Sequence, residues 1–329
     1  MTTLGLLLAL HQGTANVGYR ILDLQEGDRT LTVALWYPTE AEPVEYLYGG
    51  GPNRGRVAPG AAPIRDRGPF PFLVFSHGYG GGGIGSVFFT EALASRGWIV
   101  AAPDHEDRDK AVRIRTGAQR IDGWAYLRRA RELAATGRGF DRQAHAYRLD
   151  DLVRVLDRLQ ESEEFGPLID GNRIAVGGHS LGGFTALGIA GAIEGRRDER
   201  VKAVLLFSPG IFMYAREELA AVKVPTMFFL GERERNERRQ DGTKAEMARA
   251  AFEAFPPPAY LLEVRGAGHF SFNNPSSRAS GARGLAGTEE QFGVIRRYAT
   301  AFLERHVAWR DDGGVLERGD PGLSGFLSK

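Results

Sequence analysis

Six runs along the chain are apolar at nearly every position: "FPFLVFS" (70–76), "WIVAAPD" (98–104), "RIAVGGH" (173–179), "VKAVLLFSP" (201–209), "TMFFLGE" (226–232) and "AYLLEV" (259–264). Strands covered on both faces read this way, whereas half-exposed strands alternate. Helical stretches lie between and after them. They fall over about Gly85 to Ser95, at "YRLDDLVRVLDRLQ" (147–160), from Leu181 onward, at "TKAEMARAAFEAF" (243–255) and at "EQFGVIRRYATAFLERHVAW" (290–309). Strand and helix in alternation predict an α/β fold with a mostly parallel central sheet and helices on both faces. Near the start the order differs. "NVGYRILDL" (16–24) and "TLTVALWYP" (30–38) are joined by the short "QEGDR", which predicts an antiparallel pair at the sheet's edge.

A single domain is expected over residues 1–329, with three breaks in the rhythm. Residues 39–69 mix Gly, Pro and Arg without a period and read as a long surface loop. Residues 105–144 are polar and Arg-rich, and carry one helical pattern at "GWAYLRRARELAA" (123–135). Their place after a strand's carboxyl end suggests an insertion or cap over a cleft. Residues 311–329 form a Gly-rich tail expected on the surface.

Composition narrows the function. The chain is 43% hydrophobic, enough for one sizeable core, and its 42 basic against 41 acidic residues leave a formal charge of +1. That balance lacks the basic footprint nucleic acid or an anionic membrane would require, so a small or polymeric neutral partner is expected and the oligomeric state stays open. With no cysteine, disulfides, thiolate nucleophiles and cysteine-held metals are excluded. The apolar run Leu4 to Leu10 is too short to span a bilayer, so no stable membrane insertion is expected. It reads as a segment packed on the core of a cytoplasmic protein, with a truncated signal sequence as the alternative, although no Lys or Arg precedes it.

The chemistry concentrates at "GHSLG" (178–182), a G-x-S-x-G between an apolar strand and a helix. A sharp strand-to-helix turn forces its serine into a strained conformation, needs neighbours without Cβ, and leaves Oγ exposed: the nucleophile elbow. Ser180 is therefore the candidate nucleophile. A serine needs a base, and in this architecture the order is serine, acid, histidine. Two histidines follow Ser180. His306 lies inside the last predicted helix, whereas His269, in "GAGHFSF", sits in a loop that can return imidazole to the serine. His269 is the candidate base. "FSHGYGGGG" (75–83) resembles an H-G-x-G oxyanion loop, so the backbone N–H groups of Tyr79 and Leu181 are the candidate oxyanion donors. His77 and His179 read as structural supports. For the acid, "LGERERNE" (230–237) offers Glu232, Glu234 and Glu237, while Asp170 precedes the serine and is out of order.

"LTVALWYPT", "FLVFSHGYGG", "ALASRGWIVAAPDH", "RIAVGGHSLGGFTAL" and "VPTMFFLGERE" resemble the α/β-hydrolase superfamily. Within it they are similar to the group of platelet-activating-factor acetylhydrolase-like, dienelactone-hydrolase-like and cutinase-like polyester hydrolases. The resemblance covers about Val17 to Val307 and implies ester hydrolysis through an acyl-serine, without a cofactor or metal. A dienelactone hydrolase uses a cysteine that this chain lacks. The acetylhydrolases carry an Asp where this chain has Ser208; cutinase-like enzymes take the acid after the next strand. There the carboxylate often stands three residues past the strand's last glycine, which from Gly231 selects Glu234. Glu232, nearer the strand end, has its direction set by the pleat. Tyr79, Phe212, Phe270 and the insertion around Trp124 are expected to crowd the cleft, which favours short acyl chains. A polyester or a phospholipid acetyl ester is the alternative substrate.

A different class also deserves weight. "GYGGGG" (78–83) fits G-x-G-x-x-G after a strand, with Asp104 ending the next one, as in a dinucleotide-binding oxidoreductase. That reading leaves the serine elbow, His269 and the acidic loop unexplained. The run "DHEDRD" (104–109) reads as a solvated loop with ion pairs to Arg108 and Arg113, and matches no metal motif.

Overall fold

The computed structural model describes residues 15–135, 137–239, 242–276 and 285–329. The apolar run Leu4 to Leu10, and with it the leader question, lies outside the described residues. The strands are β1 (Asn16–Glu26), β2 (Arg29–Thr39), β3 (Val44–Leu47), β4 (Arg54–Pro59), β5 (Phe70–Ser76) and β6 (Ile99–Pro103). Two-residue strands β7 (Val112–Arg113) and β8 (Gly117–Ala118) pair with each other. Then come β9 (Ile169–His179), β10 (Val201–Phe207), β11 (Thr226–Gly231), the short pair β12 (Arg238–Arg239) and β13 (Gly242–Thr243), β14 (Ala259–Val264) and β15 (Leu323–Ser328). The helices are α1 (Val87–Ala94), α2 (Gly123–Ala135), α3 (Tyr147–Gln160), α4 (Leu181–Leu187), α5 (Arg216–Ala220), α6 (Lys244–Ala254) and α7 (Glu289–His306).

One 11-stranded sheet runs β15-β14-β11-β10-β9-β5-β6-β2-β1-β4-β3. From β14 to β6 every pairing is parallel. All seven residues of β5 are buried, as a strand covered on both faces requires. On one face α3 seats Leu149, Leu152, Val155, Leu156 and Leu159. On the other, α1 and α7 contribute Phe89, Leu93, Ile295, Phe302 and Leu303. The amino ends of α6 and α7 are set by capping boxes, Thr243 with Glu246 and Thr288 with Gln291. This is the α/β-hydrolase fold.

Three expectations are corrected. Residues 39–69 are not an irregular loop: β3 and β4 lie there, and β4 pairs parallel to β1 at Gly18 with Ala58 and Tyr19 with Pro59. The hairpin β1–β2 therefore sits inside the edge. The tail 311–329 is not merely surface chain, since β15 closes the opposite edge antiparallel to β14. The run 104–109 is not a solvated loop throughout: Asp104, His105, Asp107 and Asp109 are buried, while Glu106 and Arg108 are exposed. The parallel register has one consequence for function. The segments that follow β5, β6, β9, β10, β11 and β14 all emerge at the same edge, where open α/β sheets bind ligands.

Candidate active site

Ser180 follows β9 with φ 54° and ψ −116°, a conformation no L-residue adopts without strain. A Cβ on Gly178 would lie 2.3 Å from the Gly182 carbonyl oxygen, and one on Gly182 would lie 2.0 Å from the Ser76 carbonyl oxygen. The turn is thus too tight for any side chain two residues before or after the serine. That contact is the physical reason for G-x-S-x-G in this chain.

His269 opens a short turn after β14, and its Nε2 stands 2.9 Å from Ser180 Oγ. Its Nδ1 lies 3.1 Å from Glu234 Oε2. Glu234 is 0% exposed, and its second oxygen accepts the Gly231 N–H at 3.0 Å. Burial pushes this carboxyl up, but His269 and the Lys244 ammonium outweigh it and hold Glu234 well below the usual carboxylate range. Lys244, at the start of α6, pairs with Glu234 and with Glu237 Oε2 at 3.1 Å. Neither alternative acid reaches the imidazole. Glu232 accepts the Gly266 N–H at 2.7 Å, and Glu237 pairs with Lys244 and with Arg239 at 3.1 Å.

His179 turns away from Oγ. Its Nε2 bonds the His269 carbonyl oxygen at 2.8 Å, and Asn273 Nδ2 approaches its Nδ1 at 3.3 Å, so it ties the histidine loop to the elbow. Burial pushes its pKa down to about 3, which keeps it neutral. His306 stands apart, bonded to the Tyr260 hydroxyl at 3.1 Å.

The N–H groups of Tyr79 and Leu181 make no hydrogen bond among the described residues. The loop that carries Tyr79 is held from beneath by a buried ion pair. Arg148 of α3 binds Asp107 through Nε at 2.9 Å and Nη2 at 2.7 Å, and its Nη1 donates to the His77 carbonyl at 2.8 Å. Asp107 in turn accepts the Gly80 N–H at 2.7 Å. Burial would raise the Asp107 carboxyl, yet the Arg148 guanidinium holds it far below the carboxylate range. His77 is a support as expected: its Nδ1 donates to Gly78 O at 2.6 Å and its Nε2 accepts the His105 N–H at 3.0 Å. Sequence reasoning missed Arg148. Replacing Arg148 by Met leaves the Asp107 carboxylate buried without its cation, held only by the Gly80 N–H and the Tyr147 hydroxyl, so a loss of about 3–5 kcal/mol in unfolding free energy is expected from denaturant titration. A loss below about 1 kcal/mol contradicts this account of the loop.

Above the serine lies a cleft of about 1080 Å³ lined by Tyr79, Leu181, Phe212, Met213, Phe270 and others. The 105–144 insertion does wall it, through Tyr126, Ala130 and Leu133. Trp124 does not: it is 83% exposed and outside the cleft lining. Two positions later on the same helix, Tyr126 faces inward, its ring stacked 5.9 Å from Tyr79. Side chains two apart on a helix point to different faces, which is why the bulkier neighbour is the wrong one.

The glycine loop 78–83 wraps around protein carboxylates. Asp104 accepts the N–H groups of Gly83 and Ile114, each at 2.8 Å, and is buried, so it presents no free oxygen to a ribose. This removes Asp104 as a ribose partner, one of the features that recommended dinucleotide binding. Among the described residues no group of three or more metal-ligating side chains occurs. No described helix is long and apolar enough to cross a membrane.

Sheet and elbow together have the α/β-hydrolase fold. A sequence profile for platelet-activating factor acetylhydrolase, isoform II, matches residues 56–166. The chain is similar to the platelet-activating factor acetylhydrolase of Cavia porcellus, 24% identical over 272 residues, which cover 75% of this chain and 59% of that protein. It thus spans about three fifths of that relative's length. Among solved structures, a ferulic acid esterase from Streptomyces cinnamoneus superposes with a TM-score of 0.69 over 97% of each chain, at 22% identity.

Proposed function

We propose that this chain hydrolyses carboxylic esters through an acyl-serine intermediate. One observation carries the reading: Ser180 Oγ, His269 and the buried Glu234 form a hydrogen-bonded line at 2.9 and 3.1 Å. Two N–H groups without a partner among the described residues, of Tyr79 in the loop after β5 and of Leu181 at the start of α4, lie beside it. The relatives named above support it as acetylhydrolase and esterase. In the first half-reaction His269 Nε2 takes the Ser180 proton as Oγ attacks the carbonyl carbon. The tetrahedral oxyanion forms between the Tyr79 and Leu181 N–H groups. Its collapse breaks the ester C–O bond, and Nε2–H protonates the leaving alcohol. Water then repeats the sequence on the acyl-serine, releasing the acid and restoring Oγ–H. Glu234 orients the ring and stabilises the imidazolium without taking the proton.

Short acyl groups remain our proposal, with the alcohol part filling the rest of a cleft far larger than an acetyl group needs. Phe212 and Phe270 line it, and Phe270, 42% exposed, stands directly beside the base. In a series of p-nitrophenyl esters, acetate and butyrate are expected to exceed laurate in kcat/KM by about tenfold or more. A phospholipid acetyl ester and a polyester film belong in the same panel. Faster turnover of laurate rejects the short-acyl reading, and absence of turnover of every ester rejects the function.

A further inference from the structure

Ser208 has no task in the reaction sequence above. It follows β10, is buried, and holds a positive φ of 39° immediately before Pro209. That is unfavourable for a residue with a Cβ, and more so ahead of a proline. Its hydroxyl donates to Glu234 Oε2 at 2.8 Å and lies 2.7 Å from His269 Nδ1. The direct contact between Glu234 and His269 is longer, 3.1 Å.

The direction of these bonds follows from what each group can do. An ionised carboxylate only accepts, so the single hydroxyl proton of Ser208 points at Glu234. Its lone pairs then face the ring, and Nδ1 must be the protonated nitrogen. Nε2 is left as the acceptor for the Ser180 proton. Glu234 Oε2 also receives the Lys244 ammonium, so Lys244 and Ser208 both donate to the oxygen that Nδ1 approaches at 3.1 Å. Under that crowding the nearest acceptor for Nδ1–H is the hydroxyl. A strained backbone retained at a buried position, with its side chain inside a charged cluster, is the pattern of local cost kept for function.

We propose that Ser208 is a positioning residue whose hydroxyl bridges Glu234 and His269. It holds the imidazole in the tautomer and orientation that let Nε2 accept the Ser180 proton. The proposal rests on the reading of Ser180, His269 and Glu234 as the reacting line.

The test compares Ser208→Gly and Ser208→Ala with the parent in three measurements: steady-state hydrolysis of p-nitrophenyl acetate, rate of fluorophosphonate labelling, and thermal unfolding. Glycine accepts the positive φ, so the Tm of Ser208→Gly is expected at or above the parent's. Its kcat and labelling rate are expected to fall about 10- to 100-fold with KM within about threefold, and Ser208→Ala to show the same kinetic loss. A fall in kcat smaller than about threefold in Ser208→Gly overturns the proposal. So does a fall accompanied by a lowered Tm, which marks a purely structural role. A parent that neither hydrolyses the ester nor takes the label overturns the triad reading instead, so the two failures are distinguishable.

Discussion

Replacing Ser180 by Ala is expected to lower kcat for ester hydrolysis by about 10⁶-fold, a rise in barrier of about 8 kcal/mol. The loss is that large because in the proposed reaction Oγ is the atom that bonds to the acyl carbon, and nothing else at the elbow can replace it. What remains is the background supplied by binding and the oxyanion donors. His269→Ala should cost nearly as much, and the double variant little more than either, since the two act as one unit. Stability separates this from unfolding. Ser180 Oγ bonds His269, and its loss leaves φ at 54°, so Ser180→Ala should melt close to the parent. Ser180→Gly, equally inactive, relieves that strain and should melt about 1–3 °C higher. Steady-state kinetics with calorimetry checks both, and retained turnover in Ser180→Ala would exclude it as the nucleophile.

Glu234→Gln is expected to lower kcat by on the order of 10²–10⁴, about 3–5 kcal/mol in the barrier. An amide can turn an NH₂ group towards Nδ1, which selects the wrong tautomer, and it brings no charge to balance the imidazolium. It also removes one of the two carboxylates that neutralise buried Lys244, the other being Glu237. Glu232→Gln and Glu237→Gln should stay within about tenfold of the parent, below about 1.4 kcal/mol, because neither carboxylate contacts the ring. Glu232 holds Gly266 and Glu237 holds Lys244 and Arg239. If Glu232→Gln is the crippled variant and Glu234→Gln turns over normally, the acid is misassigned.

The parts of the site legible in the sequence are those set by local backbone. Gly178 is demanded by a contact within the turn and Gly182 by the adjacent β5 backbone at Ser76, and both fall at fixed spacing from the serine, so the elbow announces itself around Ser180. The strand-loop-helix rhythm likewise marks His269 and the oxyanion loop. Glu234 needed the spacing from Gly231 and a resemblance, since three glutamates share the loop. Partners distant in sequence were not legible. The run 104–109 looks solvated until Arg148, Arg129, Gly83 and Ile114 are brought to it by the fold. Lys244 and Ser208 meet Glu234 from separate elements; Ser208 is marked only by standing where the acetylhydrolases carry an Asp, and nothing in the local sequence of Lys244 points there. Trp124 failed through helix phase, which no single bulky residue reveals. The strand β15 hides because Gly325 interrupts a short apolar alternation in a Gly-rich tail.

The central claim is that Ser180 is activated by His269 to form a covalent acyl-enzyme. Its most direct test is the intact mass of the protein after treatment with a fluorophosphonate, followed by mapping of the modified peptide. The account predicts one adduct per chain, located on Ser180, with ester turnover lost in proportion to labelling and no adduct on Ser180→Ala or, at matched times, on His269→Ala. Labelling at another serine, or full turnover by a chain whose Ser180 is fully modified, would contradict it.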